Sequence, residues 1–209
     1  MPRESVHFRI RKNEPMSFKL SILIPTLSSR LAKLEELLIE LNYQIQGKPV
    51  QILWLGDNKS MTTGEKRNHL LSMAKGDFVA FVDDDDTISS NYIVSLLDAI
   101  EDNPDKTVIC FRGNKTIDGK QDLPFRYNVK VGRNQRMDFN GKEWRVMLPD
   151  HLCAWNKSLI TVKYPHKNVS EDHDWAKEMA FTYNENDQVL LEHTLYFYNY
   201  DRNLTECRR

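Results

Sequence analysis

Short, mostly apolar runs alternate with longer segments of helical periodicity through the first 111 residues, and this alternation restricts the fold more than any other feature. Residues 20–24 (LSILI) form the first run, and Pro25 stops it. Residues 50–55, 78–82 and 108–111 form the next three. Apolar runs of this length suit strands buried on both faces, as in a parallel sheet. Between the first two, Leu31, Leu34, Leu37, Leu38 and Leu41 recur at helical spacing, with Ser28 or Ser29 placed to cap and Gly47 to close. Residues 65–75 read as a second helix, with Leu70, Leu71 and Ala74 inward and Gly76 at its C-terminal end. Residues 90–102 read as a third. Strand and helix in strict alternation predict a parallel sheet covered on both faces, a Rossmann-like half with right-handed crossovers.

Past residue 111 the pattern changes. Asp118-Gly119 predicts a hairpin turn between residues 112–117 and 120–131, hence a mixed or antiparallel extension. Residues 171–182 read as a last helix and residues 189–200 as an aromatic strand. Upstream, Val6, Phe8 and Ile10 alternate with polar residues like a half-buried strand.

Ligands of such sheets bind outside the carboxyl ends of the strands. Pro25-Thr26, Asp57-Asn58 and the run Asp83-Asp84-Asp85-Asp86 fall at those ends. Four adjacent carboxylates at the mouth of an apolar strand are costly to ionise together. A divalent cation resolves the conflict, and oxygen ligands suit Mg²⁺ or Mn²⁺. In extended chain, Asp83 and Asp85 would share one side and Asp84 and Asp86 the other. The plainer alternative is a solvated acidic loop that leads into the helix from Ser90. Lys66 and Arg67, at the start of the second helix, are placed to face a diphosphate, unless they are ordinary exposed helix residues.

Composition narrows the function classes. Across 209 residues the net charge is −1, so the molecule as a whole has no electrostatic preference for nucleic acid or membrane. Cys110, Cys153 and Cys207 show no zinc spacing, which predicts free thiols in a reducing compartment. Residues 1–19 are too polar for a signal peptide, and no apolar run approaches the ~20 residues of a membrane span. The expected location is cytoplasmic, with at most peripheral membrane contact.

The stretches KLSILIPT (residues 19–26), ILWLGDN (52–58), GEKRNHLLSMAKGDFVAFVDDDD (64–86) and SEDHDWAKEM (170–179) together resemble the family 2 glycosyltransferases of the GT-A fold. The resemblance implies a single α/β domain with a mixed sheet flanked by helices. It divides the chain into a lead-in over residues 1–18, a nucleotide-sugar-binding half over 19–111 and an acceptor-binding, catalytic half over 112–209. It also implies roles. Thr26 and Asp57 would contact the nucleoside, Asp57 by accepting a hydrogen bond from a uracil ring. Arg67 would line the nucleotide site. Asp83 would lie towards the ribose and Asp85 on the metal, with Asp84 between them among the nucleotide-binding candidates. Asp172 falls on the family's catalytic base, and Glu171 would help hold the acceptor or its neighbours. The implied reaction is inverting, from a UDP-sugar, assisted by Mn²⁺ or Mg²⁺.

His151 is the candidate histidine for an acceptor-side or metal contact. The acceptor is expected to be a glycan or glycoconjugate. Residues 126–145 interleave basic side chains, Arg133 among them, with aromatic ones, so a DNA or RNA acceptor such as a modified base is the alternative. Two other classes use similar aspartates. A nucleotidyltransferase would carry a glycine-rich loop after the first strand, but residues 25–30 contain no glycine. A phosphatase would release phosphate from simple esters. A non-catalytic calcium- or sugar-binding module is the third class, although the acidic run lacks the EF-hand pattern.

Overall fold

A computed structural model describes residues 17–131 and 135–201 of the chain. The alternation at residues 6–11, Arg133 and Cys207 lie outside them. Three strands, β1 (Leu20–Leu27), β2 (Val50–Asp57) and β3 (Phe78–Phe81), run parallel, with β1 central. Leu20, Ile22, Leu23 and Ile24 of β1 are all buried. Each such side chain contributes roughly 1.5–3 kcal/mol on leaving water. Helices α1 (Leu31–Gln44), α2 (Thr63–Met73) and α3 (Tyr92–Asp102) connect the strands, as the periodicity predicts.

Local chemistry corrects several details. Ser28 and Ser29 do not cap α1; with Arg30 they form a 3₁₀ turn that feeds into it. Helix α2 starts earlier than expected because Thr62 and Glu65 form a capping box that satisfies two otherwise orphaned amides. Gly76 lies beyond the end of α2, where its backbone passes close to β1. A methyl group there would meet the amide nitrogen of Ser21 at 2.6 Å.

The fourth apolar run opens β5 (Val108–Ile117), which follows a two-residue strand, β4 (Thr87–Ile88). β5 does not pair with β3. The short β10 (Ala154–Asn156) lies between them, antiparallel to both. The hairpin at Asp118-Gly119 forms, with both residues at positive φ. Its second arm is shorter than expected: β6 (Lys120–Gln121) pairs with β5, then the chain breaks away to β7 (Phe125–Tyr127). A second hairpin, β8 (Gln135–Phe139) to β9 (Lys142–Met147), turns on Asn140-Gly141 and extends the sheet beyond β7. The last helix, α4 (Glu171–Met179), leads to the long β11 (Gln188–Tyr200), parallel to β5. Among the described residues these eleven strands make one mixed sheet. No described helix is long and apolar enough to cross a membrane. Cys110 and Cys153 are buried free thiols.

Candidate active site

The segment GEKRN at the start of α2 organises the carboxyl ends of the first three strands, and each of its residues has a separate task. Gly64 allows the helix to approach the chain after β10: a methyl group would sit 1.9 Å from the carbonyl oxygen of Pro165. Glu65 closes the capping box. The Lys66 ammonium pairs with Asp57 at 2.8 Å and donates to the Thr26 carbonyl at 2.8 Å, joining the ends of β1 and β2. The Arg67 guanidinium donates to Asp83 at 3.0 Å and to Glu171 at 3.3 Å, and lies over the Phe81 ring. Asn68 exchanges two hydrogen bonds with the backbone of Tyr164. Lys66 and Arg67 are each 3% exposed, so neither is a solvent-facing helix cation. The Lys66 ammonium is engaged by Asp57 and Thr26, and the residue lines the cleft. Arg67 leaves one buried nitrogen, Nη1, without a hydrogen-bond partner and lines the cleft.

Asp57 therefore ends β2 as a buried anion. Burial opposes its charge, but the Lys66 ammonium, the Met61 amide and the Ser60 hydroxyl outweigh it and hold the carboxyl well below its usual range.

In the aspartate run, Asp84 and Asp86 are buried while Asp83 and Asp85 are half-buried, the alternation expected from the sequence. The backbone is nonetheless a turn here, with the Asp86 amide donating to the Asp83 carbonyl. Asp84 accepts from the Thr26 hydroxyl at 2.5 Å and from Arg30 at 2.8 Å. Asp86 accepts from the Tyr196 hydroxyl and the Asn199 amide, both at 2.7 Å, which ties the run to β11. Asp83 is held between Arg67 and His151. Burial opposes its charge too, but Arg67 outweighs it and lowers the pKa. Asp85 remains at the cleft mouth, 3.3 Å from Arg30. Burial and neighbouring Asp83 push its carboxyl up to about 6, against Arg30. All four carboxylates thus have internal partners, and Asp85 shares its cation, Arg30, with Asp84.

Helix α4 brings the remaining groups. It is seated by aromatic packing: Trp175 stacks on Tyr164 with ring centres 4.7 Å apart and meets Trp155 edge-on at 4.9 Å. Such pairs add roughly 0.5–1.5 kcal/mol each beyond the area they bury. Ser170, the expected cap, makes no side-chain cap bond and sits at φ 60°, in the left-handed region. Glu171 is buried beside Arg67, and burial raises its pKa against the pull of that cation. Asp172 is half-buried, with Oδ1 accepting from the His173 amide. His151 is buried between two carboxylates: Nε2 lies 3.2 Å from Asp83 and Nδ1 3.7 Å from Asp172. Burial and Arg67 oppose charge on its ring, but Asp83 prevails and the pKa lies above the ordinary histidine value.

All nine residues expected at the site except Asp57 line a single cleft of about 150 Å³, and Asp57 lies directly behind it through Lys66. Ser170, Asp172, His151 and Tyr198 also line a second cleft of about 390 Å³. Among the described residues no three His, Cys, Asp or Glu side chains converge as a ready-made metal cage. Sequence reasoning missed Arg30 and Tyr198. Tyr198 lies in an aromatic strand with no local motif. Arg30 directly follows the turn residues already singled out, and its charge opposite four aspartates was the available signal.

A family model described as glycosyl transferase family 2 matches residues 33–162. Among solved structures, S. aureus TarS 1–349 aligns with a TM-score of 0.55 at 16% identity, over 87% of this chain and 60% of that one. The same TarS segment in complex with UDP-GlcNAc gives 0.55 at 17% identity, over 87% and 58%. S. aureus TarS itself gives 0.56 at 16% identity, over 87% and 37%. This chain thus spans about 60% or less of these relatives, and at such identity the likeness is one of fold, a mixed sheet of the GT-A type. No curated protein matches the sequence.

Proposed function

The chain belongs to glycosyl transferase family 2, and from that premise we propose that it transfers a sugar from a nucleoside diphosphate, UDP first, to an acceptor hydroxyl with inversion. One observation carries this reading: Asp172 stands where the aspartate-lined cleft and the second cleft meet, lining both. A base for an inverting reaction belongs at such a junction, with the donor on one side and the acceptor on the other. Residues 19–111 supply the donor side, with Thr26, Asp57, Arg67, Asp83 and Asp84 shaping the nucleotide site. Residues 112–209 supply most of the acceptor side. The TarS complexes with UDP-GlcNAc and UDP make those two molecules the first donor-side probes.

Asp172 takes the proton from the acceptor hydroxyl, a role worth roughly 10²–10⁴ in rate. Glu171 holds Arg67, and through it Asp83, in place. His151, with Nε2 engaged by Asp83, orients Asp172 on the acceptor side. Asp85, which lines the cleft and shares Arg30 with Asp84, fits Mg²⁺ or Mn²⁺ held by one carboxylate and completed by ligand phosphate, the usual arrangement for Mg²⁺ at substrate phosphates. Bound there, the cation would offset charge growing on the departing diphosphate. The site opens on a cytoplasmic surface in this reading.

Calorimetric titration of UDP with and without Mn²⁺, on the native chain and on Asp85→Ala, tests the donor site. Metal-dependent binding that disappears in the variant is the expected result. No binding of UDP or any other nucleoside diphosphate, under either metal, would defeat it.

A further inference from the structure

The path of the sheet ends at β2 on one side and β8 on the other, and the two ends are finished differently. β8 carries Arg136 and Asp138, and four of its five residues are exposed. Charge on an edge strand keeps it from recruiting another strand. β2 (VQILWLGD) has no charge before its last residue, no proline, and no bulge in its unbroken register with β1. Among the described residues it pairs with β1 alone, so its outer side presents N–H and C=O groups that no described strand pairs. Its apolar side chains are only partly covered. Ile52, Leu53 and Leu55 are half-buried at the margin of the core, and Trp54 is 50% exposed. An apolar edge of this length is a template for a further strand.

The two faces of β2 are distinct. Gln51 accepts from the Lys75 amide, just past α2, and Asp57 pairs with Lys66 of α2. Odd-numbered residues therefore face α2, while Ile52 and Trp54 face the opposite side, that of α1. The chain enters β1 at the foot of this edge, where the Lys19 amide donates to the Pro49 carbonyl. Residues 1–16 precede the described part of the chain, and within them Val6, Phe8 and Ile10 alternate with His7, Arg9 and Arg11. A place beyond β2 lies two strand spacings from β1, about 10 Å. Residues 12–16 span roughly 17 Å when extended, enough for that crossing. A segment parallel to β2 would end at the far end of the sheet, a full strand away from the start of β1. An antiparallel one ends beside it.

We propose that residues 5–11 add to the outer edge of β2 as an antiparallel strand. Val6, Phe8 and Ile10 lie on the side of α1 against Ile52 and Trp54, and His7, Arg9 and Arg11 lie on the other. Aromatic and β-branched residues make favourable pairs across strands. The segment is tethered five residues from the described chain, so it meets this edge at an effective concentration on the order of millimolar, ahead of the same segment from a second copy. The added strand braces β2, whose last residue is Asp57. The inference does not depend on the transferase reading.

The test uses the full chain at two protein concentrations. Hydrogen exchange follows the β2 amides that do not bond to β1. Acrylamide quenching follows Trp54, taken as the difference from Trp54→Phe. In the native chain those amides are expected to exchange at least about tenfold more slowly than free peptide, and Trp54 to be quenched as a shielded indole. Phe8→Asp removes both protections at either concentration. His7→Asp, on the opposite side of the strand, leaves them in place. Circular dichroism checks that both variants keep the fold. Outer β2 amides that exchange like free peptide in the native chain overturn the proposal, whatever the variants do. Protection that survives Phe8→Asp also overturns it and assigns the cover to another segment. Protection that grows with protein concentration as the mass doubles assigns the cover to a second copy instead. Equal loss in His7→Asp and Phe8→Asp overturns the assigned facing of the strand.

Discussion

Arg67 and Glu171, 104 positions apart in sequence, meet with Nε 3.3 Å from Oε1, and both side chains are buried. This pair joins the second turn of α2 to the first residue of α4. It therefore ties Asp83, which Arg67 also holds, to the helix that carries Asp172. Replacing Arg67 with Met would leave Asp83 and Glu171 buried without their cation. Losing one partner of a buried pair costs about 3–5 kcal/mol. Urea unfolding should show a loss of that size, and UDP binding should fall with it. A change of under about 1 kcal/mol, the range of exposed pairs, would mean that the contact does not hold the halves together.

Asp172→Asn preserves shape and removes the proposed base. Transfer should fall by about 10²-fold or more, with UDP affinity intact. Steady-state kinetics beside calorimetry separate the two effects. Equal loss of transfer and donor binding would assign Asp172 to the donor site instead.

Burial pushes the Asp150 carboxyl up to about 6, from an ordinary value of 3.8. Between about pH 4 and 6 the folded protein then holds a proton that the unfolded chain has already released. Its contribution to stability is therefore lost as pH rises through that window, by roughly 2–3 kcal/mol. Asp150→Asn should give a shallower pH profile and a higher urea midpoint at pH 7. A variant profile parallel to the native one would place the proton uptake elsewhere.

Gly64→Ala inserts a methyl group 1.9 Å from the Pro165 carbonyl oxygen. Backbone must move on one side or the other, at a cost of about 1–3 kcal/mol. The melting temperature should drop. Transfer should drop further than UDP binding, because the displaced segment leads into α4. Unchanged melting would show that the 165–168 segment yields freely.

The elements that could be read in sequence were those with local periodicity. The apolar runs of β1, β2, β3 and β5, and the leucine spacing of α1, announce themselves within ten residues or so. The aspartate run was legible too, because alternation of four identical side chains leaves few ways to bury them. β10 was not, since three residues carry no period. The Asn140-Gly141 turn and the Thr62-Glu65 capping box were present as local signals and went unread. Lys66 and Arg67 could be named but not placed. A basic residue on a polar helix start looks exposed until its partners, Asp57 for one and Asp83 with Glu171 for the other, are brought in by strands far along the chain.

The insertion of β10 has a consequence for how the chain is made. A ribosome delivers β3 and β5 well before Ala154–Asn156, the strand that lies between them among the described residues. Until then the two strands present facing, apolar, unpaired edges, and the sheet has a slot in its middle. Nascent protein released at residue 111 would carry that slot open, a surface prone to capture a strand from another molecule. The sheet closes only when its latest-arriving narrow strand slides in antiparallel. The architecture thus commits the protein to making the chain through residue 156 before its first strands are sealed.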